Sequence, residues 1–282
     1  MRRDFLRFGG AAALAGVAQL GLPAFAQTSA KNYTVGIVPQ QSASELARIW
    51  IPVFNVINER AGVPLRFATA PDIPAFEKRL AAGTYDLAYM NPYHYTVFSQ
   101  KPGYVAFAKE KGRRLRGIVV VRKDSPITDL TGLAGKEVSF PAPASFAATV
   151  LVRAELESKK INVQPKFVGS HESVYLNVAK GIHAGGGGIA RTFQTMDAPV
   201  RDELRILWQT KDYTPHAFAA HPRVPAEIVT RVRDAMLLAD SDARGKAALK
   251  DIGFNGIEAA QDSEWADVRA LGIKTLAALL AG

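Results

Sequence analysis

Short apolar runs of strand character alternate along this chain with stretches whose apolar residues recur at helical spacing. Residues 33–38 read as a buried strand, and residues 42–60 as a helix. In that helix Leu46, Ile49, Val53, Val56 and Ile57 share one face, and Ser42 or Ser44 can cap its start. Residues 64–69 predict a second strand, 74–82 a short helix ended by Gly83, and 86–90 a third strand. Such an opening implies a parallel sheet with crossover helices, and ligands of such sheets bind beyond the carboxyl ends of the strands. The first and third predicted strands run into Pro39, Gln40, Gln41 and into Asn91, Pro92, Tyr93, His94, Tyr95, which places both segments at a ligand mouth.

The pattern then repeats. A hydrophobic strand is expected at 115–122, and the polar, turn-rich residues 123–132 read as a lead-in to a second lobe. Strands at 137–140, 166–168 and 204–208 alternate with helices at 145–157 and 172–179. Four glycines at 185–188 open the segment 189–196. Residues 213–220 can cross back to the first lobe, and the tail from 225 to 280 is mostly helical. Two α/β units joined by two crossing segments describe a hinged clamshell that closes on a ligand between its lobes. The expected division is residues 31–117 for the first part of lobe 1, 118–214 for lobe 2, and 215–282 for the return to lobe 1 and the C-terminal helices.

Composition narrows the function. Cysteine is absent, which removes disulfides, thiolate catalysis and thiolate metal sites. The five histidines show no metal-ligand spacing, so neither metal nor cofactor is expected. The formal charge of +9 favours anionic partners, yet Lys and Arg are scattered without interleaved aromatics, which speaks against nucleic acid. The densest basic cluster, 109–116, reads as a solvated surface or a hinge-side loop. At the start, Arg2 and Arg3 precede Phe5, Leu6 and Arg7, and a Gly- and Ala-rich apolar run ends in small residues at 24 and 26. Residues 1–26 therefore read as a twin-arginine signal peptide cleaved after Ala26, and the protein is expected in the periplasm.

Several constellations carry possible chemistry. Ser145, Phe146 and Ala147 follow a predicted strand and open a helix, where free N–H groups bind oxyanions. Ser145 can either cap that helix or donate to a ligand oxygen. His171 stands at a similar strand-to-helix junction; it can donate to an anion or be structural. Gly185, Gly187 and Ala190 formally match a dinucleotide fingerprint, but the next strand ends in Trp208, Gln209 and Thr210 without the required acid. Close backbone approach explains the glycines better. Arg191 is a candidate oxyanion partner or an exposed side chain. Tyr89, Tyr93, His94 and Tyr95 can form an aromatic wall or ordinary packing, and His216 falls in the second crossing without an assigned role. No nucleophile elbow, Walker loop or carboxylate pair is present, so an enzyme is not expected.

The order of these pieces resembles a known family. Gly36 to Ala43, Glu45 to Ala47, Trp50 to Pro52, Asp86 to Tyr89, Val121 to Ser125, Pro143 to Ser145 and Gly169 to His171 are similar to the phosphate/phosphite/phosphonate periplasmic substrate-binding proteins of ABC transporters, over about residues 33 to 255. The resemblance implies an α/β, two-lobe periplasmic binding protein of type II, a Venus flytrap with two hinge-crossing segments. It implies a small anionic ligand, an inner-membrane ABC permease as partner, and a monomer. The alternative on the same fold is a sensing protein that presents its ligand state to a membrane histidine kinase. The expected ligand residues are Gln41, Tyr89, Asn91, Tyr93, Ser145, Phe146, Ala147, His171, Gly187 and Arg191. Where the family loop carries Ser-Thr-Ser-Gly, this chain has Ser145, Phe146, Ala147 and Ala148, which keeps the amides and loses two hydroxyls. Met90 stands where a ligand tyrosine can occur. Near Gly187 to Arg191 the family can carry an acid that meets an amine; its absence here favours a small anion without one, or a different ligand altogether.

Overall fold

The structure is a computed structural model, described here for residues 31–277. The expected signal peptide lies outside the described residues. The chain order is β1 (Tyr33–Ile37), α1 (Ala43–Ala61), β2 (Leu65–Ala68), α2 (Ile73–Ala81), β3 (Leu87–Met90), α3 (Pro92–Phe98), β4 (Val105–Glu110) and β5 (Gly117–Arg122). Then follow β6 (Glu137–Phe140), a π-helical turn (Phe146–Val150), α4 (Leu151–Ser158), β7 (Gln164–Phe167), α5 (His171–Ala179), β8 (Gly185–Ile189), α6 (Ala190–Gln194), α7 (Ala198–Arg201) and β9 (Leu204–Gln209). The chain closes with β10 (Ala217–Ala220), α8 (Ala226–Leu237), α9 (Ala243–Asp251), β11 (Ile257–Ala259) and α10 (Ala266–Arg269).

Two sheets result. The first has the order β11-β4-β10-β3-β1-β2, with β1 parallel to both β2 and β3, as the opening pattern requires. The second has the order β7-β6-β8-β5-β9, with β6 parallel to β7 and β8, and β5 antiparallel to β8 and β9. The chain passes between the sheets twice, after β4 and after β9. The two passages meet in an antiparallel bridge: Leu115 N donates to Tyr213 O (2.8 Å) and Tyr213 N to Leu115 O (2.9 Å). Among the described residues no helix is long and apolar enough to cross a membrane.

Local chemistry explains the key elements. Ser42 caps α1 by accepting from Glu45 N, and Gly62 ends it in the left-handed region at φ 60°. The buried stripe Leu46, Ile49, Trp50, Val53, Phe54 and Ile57 seals α1 onto the first sheet. Trp50, Tyr89, Phe218 and Phe254 form the aromatic centre of that lobe, with Trp50 and Tyr89 centroids 5.0 Å apart. The second lobe instead has two smaller cores on either side of its sheet, one around Val119, Val121 and Phe140, the other around Val120, Val174 and Tyr175.

Four expectations need correction. The glycines at 185–188 do not form a loop before a helix; they are the central strand β8, fully buried. A strand follows the third helix, β4, where the sequence pattern had none, and it takes Lys109 and Glu110 out of the presumed basic loop. In the remaining cluster Arg113, Arg114 and Arg116 pair with Glu110, Asp267 and Asp212. The chain is also already in the second sheet by β5, so residues 123–132 lie within that lobe and do not lead into it. The helix expected from Ser145 begins as a π-helical turn, for a reason the glycines supply. A Cβ on Gly117 would lie 2.3 Å from Ala147 O, and one on Gly187 would lie 1.9 Å from Ala148 O. Two glycines thus let the turn press its carbonyls onto the sheet.

Candidate functional site

The carboxyl ends of β1 and β3 face those of β6, β7 and β8 across a small, tightly closed cavity. Val38, Gln40, Ile73 and Asn91 line it from the first lobe. Ser145, Phe146, Ala147, Ala148, His171 and Ile189 line it from the second, and Leu115 and His216 close it at the crossings. None of these residues is a carboxylate.

The second-lobe wall is a set of polar atoms without protein partners. Phe146, Ala147 and Ala148 are the first residues of a helical turn, so their N–H groups have no carbonyl one turn back to donate to. Ser145 sits at the N-cap position, φ −64° and ψ 101°, yet makes no capping bond. Its buried Oγ has no hydrogen-bond partner. Neither does the buried Nδ1 of His171. Leaving such a group unpaired costs about 1–3 kcal/mol, which a ligand oxygen would offset. His171 opens α5, whose cap is Ser170, accepting from Ser173 N. Burial, and secondarily the positive charge of Arg191, lower its pKa to about 3, so the ring is neutral near pH 7.

The first-lobe wall is already bonded. Asn91 caps α3, its Oδ1 accepting from His94 N at 2.7 Å, while its Nδ2 reaches Ala144 O across the cleft at 3.4 Å. His94 Nε2 lies 2.9 Å from Glu77 Oε1 behind it. Gln40 Nε2 lies 2.9 Å from His216 Nε2, and Gln40 Oε1 accepts from Arg191 at 2.7 Å. His216 stacks on Tyr89, centroids 5.1 Å apart, and burial holds its pKa well below the usual histidine range. The lobes also bond directly: Glu172 N donates to Gln40 O (3.1 Å), and Ser42 N donates to Glu172 Oε2 (2.6 Å).

Of the residues expected from sequence, Asn91, Ser145, Phe146, Ala147 and His171 come together around the cavity. Gln41 lies in a separate surface groove with Ser44 and Glu45, and its neighbour Gln40 turns inward. Tyr89 stands behind His216 with its hydroxyl 3.3 Å from Arg191, and burial pushes its pKa up. Tyr93 accepts from Leu276 N at 2.9 Å and faces the C-terminal segment. Gly187 backs the π-helical turn, and Arg191 spans from the second lobe to Gln40 and the faces of Tyr89 and Phe254. Gln40, His216, Ala148, Val38, Ile73, Leu115 and Ile189 are lining residues the sequence reading missed. For Gln40 the only signal was its place after the first strand, which it shared with Gln41.

The family of ABC transporter phosphonate periplasmic substrate-binding proteins matches residues 35–265. The phosphate-import protein PhnD of Mycolicibacterium smegmatis is 22% identical over 274 residues, spanning 80% of this chain and 84% of that one. Among solved structures, a binding protein component of an ABC phosphonate transporter from Pseudomonas aeruginosa superposes with a TM-score of 0.78 at 17% identity, covering 86% of this chain and 85% of that one. PhnD1 of Prochlorococcus marinus in complex with methylphosphonate gives 0.77 at 16% identity, over 86% and 97% of the two chains.

Proposed function

The chain belongs to the family of periplasmic substrate-binding proteins of phosphonate ABC transporters, which are binding components and not enzymes, and from that premise we propose that it captures a small tetrahedral oxyanion between its lobes and delivers it to an inner-membrane permease. The observation that carries this reading is the pair of unpartnered buried atoms, Ser145 Oγ and His171 Nδ1, on a carboxylate-free cavity beside the open amides of the π-helical turn. Amides at a helix start, a hydroxyl and an imidazole suit phosphate, phosphite or methylphosphonate. Closure removes water, and each charge-assisted bond strengthens as the local dielectric falls.

In this reading Ser145, the amides of Phe146 to Ala148, and His171 hold the oxyanion from the second lobe. Asn91, Gln40 and His216 form the opposing wall. Arg191 contributes its positive field and not a direct contact. Among the described residues, lobe 1 in this reading comprises 31–116 and 215–277 and lobe 2 comprises 117–214, one residue from the expected first boundary because Gly117 opens β5 of the second sheet. A carboxylate-free lining suits an anion without an amine. The relatives' ligands, phosphate for the mycobacterial protein and methylphosphonate for the Prochlorococcus protein, fit that class.

The test is calorimetric titration of the refolded, ligand-free protein with phosphate, phosphite, methylphosphonate and 2-aminoethylphosphonate. Saturable binding of at least one of the first three, weakened by His171→Ala, is expected. Absence of binding across the panel, with an uncharged organic ligand binding instead, would sink the proposal.

A further inference from the structure

Gln40, His216 and Arg191 form a chain whose proton order follows from one fact: a guanidinium only donates. Arg191 lies 2.7 Å from the Gln40 side-chain oxygen, so the atom on that side of the amide is Oε1. The amide nitrogen of Gln40 must then face His216, 2.9 Å away. It also only donates, so His216 Nε2 accepts and carries no proton. A neutral imidazole with a bare Nε2 holds its proton on Nδ1.

We propose that Arg191 is a positioning residue that orders this relay across the lobes and thereby fixes His216 as the Nδ1–H tautomer. A consequence follows for the ligand, and this part rests on the reading above. Every side-chain acceptor on the first-lobe wall is engaged: Gln40 Oε1 by Arg191, His216 Nε2 by Gln40, and Asn91 Oδ1 by His94 N. What Gln40 and His216 still offer a ligand is N–H, while Asn91 Nδ2 is turned to His94 Nε2 (3.0 Å) and Ala144 O (3.4 Å). The wall therefore suits a further oxygen or a methyl group, and gives an ammonium group no carboxylate and only the second lone pairs of amide oxygens that already accept a hydrogen bond. Selection against amine-bearing phosphonates is built into the ordering of neutral side chains, with no repelling contact between ligand and Arg191 required.

Two arms test this separately. In ligand-free protein labelled with ¹⁵N-histidine, a long-range ¹H–¹⁵N spectrum at neutral pH should show His216, assigned by its loss in His216→Gln, with Nδ1 protonated and Nε2 bare. Gln40→Glu inverts the order, because a carboxylate accepts from both sides; His216 should then carry a proton on Nε2. Arg191→Met should free the Gln40 amide and mix the two tautomers, while Arg191→Lys should restore the original one in part. A wild-type His216 protonated on Nε2, or a tautomer indifferent to all three substitutions, overturns the relay.

The second arm compares methylphosphonate with 2-aminoethylphosphonate by calorimetry. Wild type should prefer methylphosphonate by at least about tenfold, the ratio expected for one missing hydrogen bond to a charged group. Gln40→Glu should shrink that preference by a similar factor. An unchanged preference in a protein whose tautomer has flipped overturns the selectivity. If neither compound binds while the tautomers behave as stated, the transport reading fails and the relay stands.

Discussion

On the first-lobe wall of the cavity the polar groups are side chains that hold one another. Gln40, His216 and Tyr89 bond or stack in sequence, tied to Arg191 of the second lobe and backed by Trp50, Phe218 and Phe254. On the second-lobe wall the polar groups point to nothing in the protein, and what positions them is missing volume. Gly117 and Gly187 leave room for the carbonyls of Ala147 and Ala148, and the turn's amides, Ser145 and His171 are thereby set at the cavity. A wall with its bonds complete confers shape and exclusion. A wall with its bonds open confers affinity, at the cost of stability while it is empty.

Substitutions on either wall separate the two roles. The largest effect is expected from Gly187→Val, whose first carbon would sit 1.9 Å from Ala148 O, a backbone atom that cannot swing away. Overpacking of this kind costs about 1–3 kcal/mol or more. A lower melting temperature together with abolished anion binding is expected, and binding retained at wild-type strength would show that the turn does not depend on the glycine.

Next in size, Ser145→Ala should weaken phosphate or phosphonate binding by about tenfold or more, the worth of one hydrogen bond to a charged group. Its effect on the empty protein should have the opposite sense. Because Ser145 Oγ has no partner, removing it should leave the ligand-free melting temperature unchanged or raise it. A ligand-free protein clearly destabilised by this change would mean that the hydroxyl has a structural bond instead.

Acid stability offers a third measure. His171 is neutral in the fold with its pKa lowered from 6.5 to about 3, and His216 is shifted in the same direction, both first by burial. In the unfolded chain these rings take up protons below their ordinary pKa, whereas in the fold they do not. Between pH 6.5 and about 3 the unfolded state therefore binds more protons, and stability falls as pH falls. Above that window the two histidines contribute no pH dependence. Urea denaturation across the range should show a shallower acid slope in His171→Gln, and an unchanged slope would assign the acid sensitivity elsewhere.

The smallest effect concerns the contact between the walls. Glu172→Ala removes the acceptor for Ser42 N, a bond at the exposed N-terminus of α1. A carboxylate at a helix start is worth about 0.3–1 kcal/mol. Affinity should fall by about two- to fivefold through a shift toward the open state, seen as a larger radius of gyration by X-ray scattering at subsaturating ligand.

How far the sequence could be read differs between the same two regions. In the first lobe, α1 declared itself through its apolar stripe and Ser42, because burial on one face imposes a period on the chain. In the second, β6 was readable for the same kind of reason, as a short apolar run bounded by turn residues. The central strand β8 was not. Four glycines have the poorest strand propensity and no side chains to show alternation, so only the need of Ala148, Val174 and Tyr175 for space reveals why they are there. Ser145, Phe146, Ala147 and His171 were legible as cavity-lining residues because strand-to-helix junctions are marked in sequence. Gln40 was confused with Gln41, since past a strand's end the two-residue period no longer says which side chain turns inward.

By itself, then, the sequence determined a two-lobed α/β chain without thiol chemistry, with helix starts poised beyond strand ends and a family likeness carried by their order. Those properties depend on local periodicity, capping and composition, which neighbouring residues encode. Only the tertiary structure decided which atoms are left unbonded at Ser145 and His171, and that Arg191, Gln40 and His216 stand in line. Those facts depend on contacts between residues from 30 to 176 positions apart, where a difference of one residue in facing or one methyl group in volume decides the outcome, and no local pattern records it.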